Sequence, residues 1–294
     1  MSNLNCSKVA ATATSLFTVL LLSPLSAQAQ SSCNYTMYNP PAGYIYDLTP
    51  GGINHFNSIV GGVGGLSEGM EKGYVRWSNG GFTLFAVPNS VETFFTDRNL
   101  HGTTVGWYGG KNSYAPPQPA AGPTNGLIYT SNSWATLNYP GSPSTALEGI
   151  NKWNTIIGDA KDAKTNHTFA FKYQHGGFSK IQFPGAQQTI VTGINDNGVI
   201  VGAYQVTASD AGTWLGYKLE NGTYKKLSYV PEDINNSGAI VDSSSIHYPD
   251  GRVTPVAIGG AAESAVTGIN DLNVVTGFAY YGTFEYQGFT ATCK

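Results

Sequence analysis

The chain has 294 residues, 37 of them glycine, with only 11% charged residues and a formal net charge of −3. That composition excludes an acidic disordered tail and a charged helical bundle, and favours short strands joined by tight turns. Its three arginines, Arg76, Arg98 and Arg252, make no basic stripe that could neutralise phosphates, so no nucleic-acid partner is expected.

In chain order, residues 1–29 read as a secretory signal peptide. Lys8 supplies the positive charge, Leu16 to Leu22 the apolar core, Pro24 the break, and Ala27 and Ala29 the small-residue site before Gln30. The apolar core is too short to span a bilayer, and no later run reaches the roughly 18 to 20 apolar residues a span needs. The expectation is one exported domain, residues 30–294, extracellular or periplasmic, monomeric and without a membrane span. Cys6 leaves with the signal. Cys33 and Cys293 remain as an even pair at the two extremities, which in an oxidising compartment reads as a disulfide.

A repeat then runs through the domain. Its copies are GGINHFNSIVGG (51–62), TDRNLHGTTVGW (96–107), EGINKWNTIIGD (148–159), TGINDNGVIVGA (192–203), EDINNSGAIVDS (232–243) and TGINDLNVVTGF (267–278). Each carries an anchor asparagine: Asn54, Asn99, Asn151, Asn195, Asn235 and Asn270. Three positions later stands Asn or Gly, the types that adopt a left-handed backbone at least cost, so each copy should turn a hairpin there. The anchor side chain is expected to accept a hydrogen bond from the backbone two residues on. A second strand pair follows in each copy, as in GYVRWSNGGFTLFAV (73–87) and LGYKLENGTYKKLSYV (215–230), with hairpin signals at Asn79-Gly80, Asn221-Gly222 and Asp250-Gly251.

Four strands per unit, repeated six times, predict an all-β, six-bladed β-propeller. The sixth copy ends on QGFTATCK as its third strand, so CNYTMYNPPAG (33–43) is expected to supply the fourth and close the ring, bringing Cys33 and Cys293 to neighbouring strands. The recurring G-I-N-D-x-G-x-I-V-G resembles the bacterial extracellular HAF-repeat family, named for a His-Ala-Phe tripeptide, over essentially the whole mature chain. The tripeptide slots here read 73–75, 126–128, 169–171, 215–217, 244–246 and 287–289, and none keeps the histidine. The resemblance implies the repeat type and no particular reaction.

A residue needed in every blade serves the blade, so function is sought where the copies differ. The loops between second and third strands differ most: 64–73, 109–126, 159–168, 205–212 and 280–287. Aromatic residues gather near them, and Trp107, Tyr108, Tyr204 and Tyr280 are expected to line a shallow groove beside the 109–126 segment. The expected function is a secreted binding or scaffold module for an extended neutral ligand, a polysaccharide or a protein partner. The alternative is a carbohydrate-active hydrolase with Glu148 and Glu232, beside Asp97 and Asp233, as carboxylates at the channel mouth. SDAGTW (209–214) is similar to the S-x-D-x-G-x-T-W box of sialidases but differs in spacing. The five histidines show no metal-ligand spacing, and no phosphate loop or nucleophile elbow is present, so no metal or cofactor is expected.

Overall fold

The computed structural model describes residues 33–44, 48–64, 71–109, 123–131, 133–207, 213–282 and 286–293. The expected signal peptide, residues 110–122 of the Pro-rich loop, parts of the 64–73 and 280–287 loops, and residues 208–212 lie outside these. The described residues form six four-stranded antiparallel blades in a ring, without a helix.

The first strand, β1 (Cys33–Tyr38), belongs to the last blade. Blade 1 is β2 (Leu48–Ile53), β3 (Ile59–Gly64), β4 (Glu71–Arg76) and β5 (Phe82–Phe85). Blade 2 is β6 (Glu92–Arg98), β7 (Thr104–Gly109), β8 (Thr124–Thr130) and β9 (Ser133–Thr136). Blade 3 is β10 (Thr145–Ile150), β11 (Ile156–Lys161), β12 (Thr168–Gln174) and β13 (Gly177–Ile181). Blade 4 is β14 (Gln188–Ile194), β15 (Ile200–Gln205), β16 (Leu215–Glu220) and β17 (Thr223–Lys226). Blade 5 is β18 (Asp233–Ile234), β19 (Ile240–Val241), β20 (Ser245–His247) and β21 (Val253–Pro255). Blade 6 is β22 (Glu263–Ile269), β23 (Val274–Tyr280), β24 (Tyr286–Cys293) and, outermost, β1.

Closure occurs as the truncated sixth copy requires. β1 pairs with β24 from Cys33↔Cys293 to Tyr38↔Gly288, and the two cysteines are bridged with Cα atoms 4.0 Å apart. Blades 1 and 2 are further joined by a single parallel pairing, Glu71↔Glu92.

The repeat motif explains the blade. Between first and second strands every third residue after the anchor has positive φ: Asn57, Gly102, Asn154, Gly198, Gly238 and Asn273. The glycine ending I-V-G meets the first strand so closely that a Cβ at Gly277 would lie 2.0 Å from the Ala265 carbonyl oxygen, and one at Gly158 2.3 Å from that of Ala146. Above these glycines sit aromatic rings, Phe289 on Gly277 and Phe171 on Gly158. The same pairing sets Gly61 against Tyr74 and Gly106 against Leu127. The tripeptide slots of the first two blades are therefore 72–74 and 125–127, one residue earlier than the motif alone suggests. Those of blades 3, 4 and 6 align as read, whereas in blade 5 Ile246 pairs with Val241 rather than with Asp242, which holds the glycine position, so that slot also falls one residue earlier. Apolar clusters lie between blades, for example Val105 of blade 2 with Leu147, Ile150 and Phe171 of blade 3.

The anchor asparagines do more than hold their own turns. Each Oδ1 accepts from the backbone N–H two and four residues on, as at Asn151 from Trp153 and Thr155, both 3.0 Å. Each Nδ2 donates to the carbonyl of the next anchor. The bonds run Asn54 to Asn99 (3.4 Å), Asn99 to Asn151 (3.2 Å), Asn151 to Asn195 (3.2 Å), Asn195 to Asn235 (3.0 Å), Asn235 to Asn270 (3.0 Å) and Asn270 to Asn54 (3.1 Å). Six buried amides thus close a ring of their own around the channel. Buried polar groups need partners, and here each anchor satisfies its turn and its neighbour at once.

Candidate ligand-binding site at the channel mouth

The anchor ring surrounds one mouth of the channel, a depression of about 80 Å³. The residue after each anchor faces into it: His55, Leu100, Lys152, Asp196, Asn236 and Asp271. These knit neighbouring blades on the polar side. Asp196 accepts from Lys152 N (2.8 Å), Asn236 accepts from Asp196 N (2.7 Å), and Asp271 accepts from Asn236 N (2.8 Å). Asn236 Nδ2 also donates to both aspartates at 2.7 Å.

The next residue forms the tip of each turn and has nowhere to hide. Phe56 is 61% exposed, Trp153 66% and Leu272 51%. With the exposed His101 they form an arc on blades 6, 1, 2 and 3, while blades 4 and 5 present Asn197 and Ser237. The rim is therefore apolar on one side and polar on the other. Trp153 is also fixed in place, its Nε1 donating to the Asp196 carbonyl at 3.0 Å and the Lys152 ammonium lying 4.8 Å from its ring. A large exposed ring held this firmly loses little freedom on binding a ligand.

Asp97 and Asp233 form the floor, on blades 2 and 5, three blades apart. Asp97 accepts from Ile150 N (2.8 Å) and Arg98 N (2.6 Å), and Asp233 from Ile269 N (2.9 Å) and Ile234 N (2.7 Å). Each thereby ties its blade to the next. Burial pushes the Asp97 carboxyl up to about 6 against the pull of those N–H groups, with the charge of Asp196 adding to the rise. Burial, then the charge of Asp97, pushes Asp233 well above the carboxylate range.

Of the carboxylates of the hydrolase alternative, Glu148 and Glu232 do not meet in one pocket. Glu148 occupies the bulge in β10, a slot where Thr96 and Thr192 instead donate to the next blade, to Leu147 O (2.8 Å) and Pro231 O (2.9 Å). It shares a cavity of about 10 Å³ with Asp159, too small for a sugar ring. Burial pushes Glu148 up to about 8 and Asp159 well above its ordinary range, and Asp159 accepts from Val191 N of blade 4 at 3.1 Å. Glu232 is pushed up to about 8 by burial and by the neighbouring Asp242. Asp97 and Asp233 share the floor of the mouth, while Glu148 and Glu232 line neither it nor each other's surroundings.

The expected aromatic groove also changes. Trp107 is fully buried, stacked on Phe94 with ring centres 5.6 Å apart and packed on Ala146 of blade 3. Tyr204 is buried against Phe183 at 3.7 Å. Tyr108 and Tyr280 are half-buried, Tyr108 sharing a 2.7 Å hydrogen bond with Thr136 and Tyr280 stacking on Tyr286 at 4.8 Å. The four stand on blades 2, 4 and 6, and Trp107 and Tyr204 present no face to a ligand. The exposed rings Phe56 and Trp153 were absent from that expectation, although apolar residues at the tip of a repeated hairpin were the available signal. Among the described residues no three His, Cys, Asp or Glu side chains gather as a metal set.

The chain is a six-bladed β-propeller of repeat-type blades. No protein-family model and no curated protein matches it. Among solved structures the propeller is similar to an X-ray structure provisionally described as a gluconolactonase, with a TM-score of 0.51 and 9% identity over 90% of this chain and 94% of that one. It also matches TolB from Acinetobacter baumannii, with a TM-score of 0.45 and 10% identity over 88% of this chain and 63% of that one. At 9% identity the first likeness concerns the fold alone, and the second carries no argument.

Proposed function

We propose that this propeller is a binding module that works outside the cytoplasm and holds an extended polysaccharide, neutral where it crosses the mouth, on its turn rim. The observation that carries this reading is Trp153, 66% exposed yet anchored by its hydrogen bond to Asp196. Phe56 and Leu272 give further apolar faces for sugar rings, and the amides and carboxylates of the mouth suit hydroxyl groups. Each stacking contact contributes on the order of 1 kcal/mol, so several must act together and affinity should be modest. The Cys33–Cys293 bridge is compatible with an exported protein, and no helix among the described residues is long and apolar enough to cross a membrane.

The test is a set of binding measurements on insoluble and soluble polysaccharides with Trp153→Ala, Phe56→Ala and the double variant. Each single change should weaken binding about fivefold, the equivalent of roughly 1 kcal/mol, and leave the melting temperature within a few degrees. Unchanged binding in the double variant would remove the turn rim from the reading.

A further inference from the structure

A cleft of about 490 Å³ lies between blades 4 and 5, larger than the mouth and within the size range of small-molecule sites. It exists because blade 5 is stunted: β18 and β19 have two residues each and β20 and β21 three, too short to cover the outer strands of blade 4. Its floor is apolar, formed by Val199, Ile234 and Ile240. On its wall the rings of Tyr229 and His247 stack at 3.6 Å and 11°, and His247 Nε2 is held 2.8 Å from Asp242 Oδ2. A flat surface with fixed orientation results.

Two cations, Lys218 and Lys225, also line the cleft. Lys218 is already paired with Glu220 at 2.8 Å, whereas Lys225 has no acidic partner among the described residues. No arginine lines the cleft, so the fork that grips phosphate is missing and a single point charge is on offer. At the inner end the cleft opens onto the mouth. Asn195, Ile234 and Asn236 border both, and Asn197 donates to the Asn236 carbonyl at 3.1 Å across the two turns. Because Trp153 is bonded to Asp196, the residue just before Asn197, one continuous path leads from the exposed indole over the blade 4 turn into the cleft.

We infer that the cleft between blades 4 and 5 is a second subsite for the same ligand, taking one sugar ring that bears a single carboxylate, a hexuronate-type unit with its acid group on Lys225. The inference rests on the polysaccharide reading of the mouth. The apolar floor and the Tyr229–His247 surface take the ring, Asn197 and Asn236 take its hydroxyls, and Lys225 distinguishes acid from ester or neutral sugar.

The experiment is titration calorimetry of the full mature chain with trigalacturonate and with its fully methyl-esterified form, on wild type, Lys225→Met and Trp153→Ala. Wild type should bind the acid about fivefold more tightly than the ester, the value of one exposed ion pair. Lys225→Met should abolish that preference without changing affinity for the ester, and Trp153→Ala should weaken both. Equal wild-type affinity for acid and ester, or a preference that survives in Lys225→Met, would overturn the subsite. Ester binding unchanged in Trp153→Ala would overturn the mouth reading by itself, and no binding of either trimer to wild type would overturn both.

Discussion

Asn195 shows how much one side chain carries in this ring. Its Oδ1 accepts from Asn197 N and Val199 N, and its Nδ2 donates to Asn235 O. Asn195→Ala strands three backbone groups, of which Val199 N and Asn235 O are buried, and chemical denaturation should show a loss of about 3 kcal/mol. Asn195→Asp keeps the two acceptor bonds and loses the donor, so it should lie between Ala and wild type and recover as acid protonates the new carboxyl. The bond to the residue two places on was legible in the repeat as an Asx-type turn, but the bond to the residue four places on was not part of that expectation. The bond between blades was not legible, since it joins residues 40 apart whose meeting depends on ring closure. Trp107 failed for a related reason. Alternation along a strand marks a surface only if one face is wet, and a blade is covered on both faces by its neighbours. A second prediction concerns Glu232, whose carboxyl is raised from 4.5 to about 8 by burial and Asp242. The folded state therefore holds this proton more tightly than the unfolded chain does. Its contribution is complete below about pH 4.5 and is lost as pH rises through about 8. Thermal unfolding of the wild type should show stability falling over that interval, and Glu232→Gln should flatten the fall.

At the scale of the strand, blade 5 is the weak element. Its strands of two and three residues offer few ladder hydrogen bonds, while β22, β23 and β24 of the adjoining blade have seven, seven and eight residues. Local opening follows the local density of buried contacts and backbone bonds. Hydrogen exchange should therefore find the amides of Ile240, Val241 and Ile246 exchanging before their counterparts in blades 3 and 4. Equal protection in all blades would mean that the anchor ring, not the ladders, limits opening. The sequence already carried the sign of this weakness, because the fifth copy replaces the glycine of I-V-G with Asp242 and runs almost directly into its third strand. The cleft that results was not legible, since it is a space left between two elements and no single residue encodes it.

For the whole molecule the deciding feature is the clasp of β1 on β24. The bridge spans a sequence separation of 260, and by the chain-entropy argument a loop of that length contributes up to about 5 kcal/mol. Reduction, or Cys33→Ser with Cys293→Ser, should lower the melting temperature while the binding of trisaccharides at 25 °C persists. Loss of binding in the still-folded variant would show that closure also shapes the mouth. The same bridge changes what proteolysis can achieve. A single cut in any loop between Cys33 and Cys293 severs the backbone but liberates no fragment, because both pieces stay covalently attached through the clasp. The ring can thus be nicked and remain one molecule, and only a second cut, or a reductant, can take a blade away.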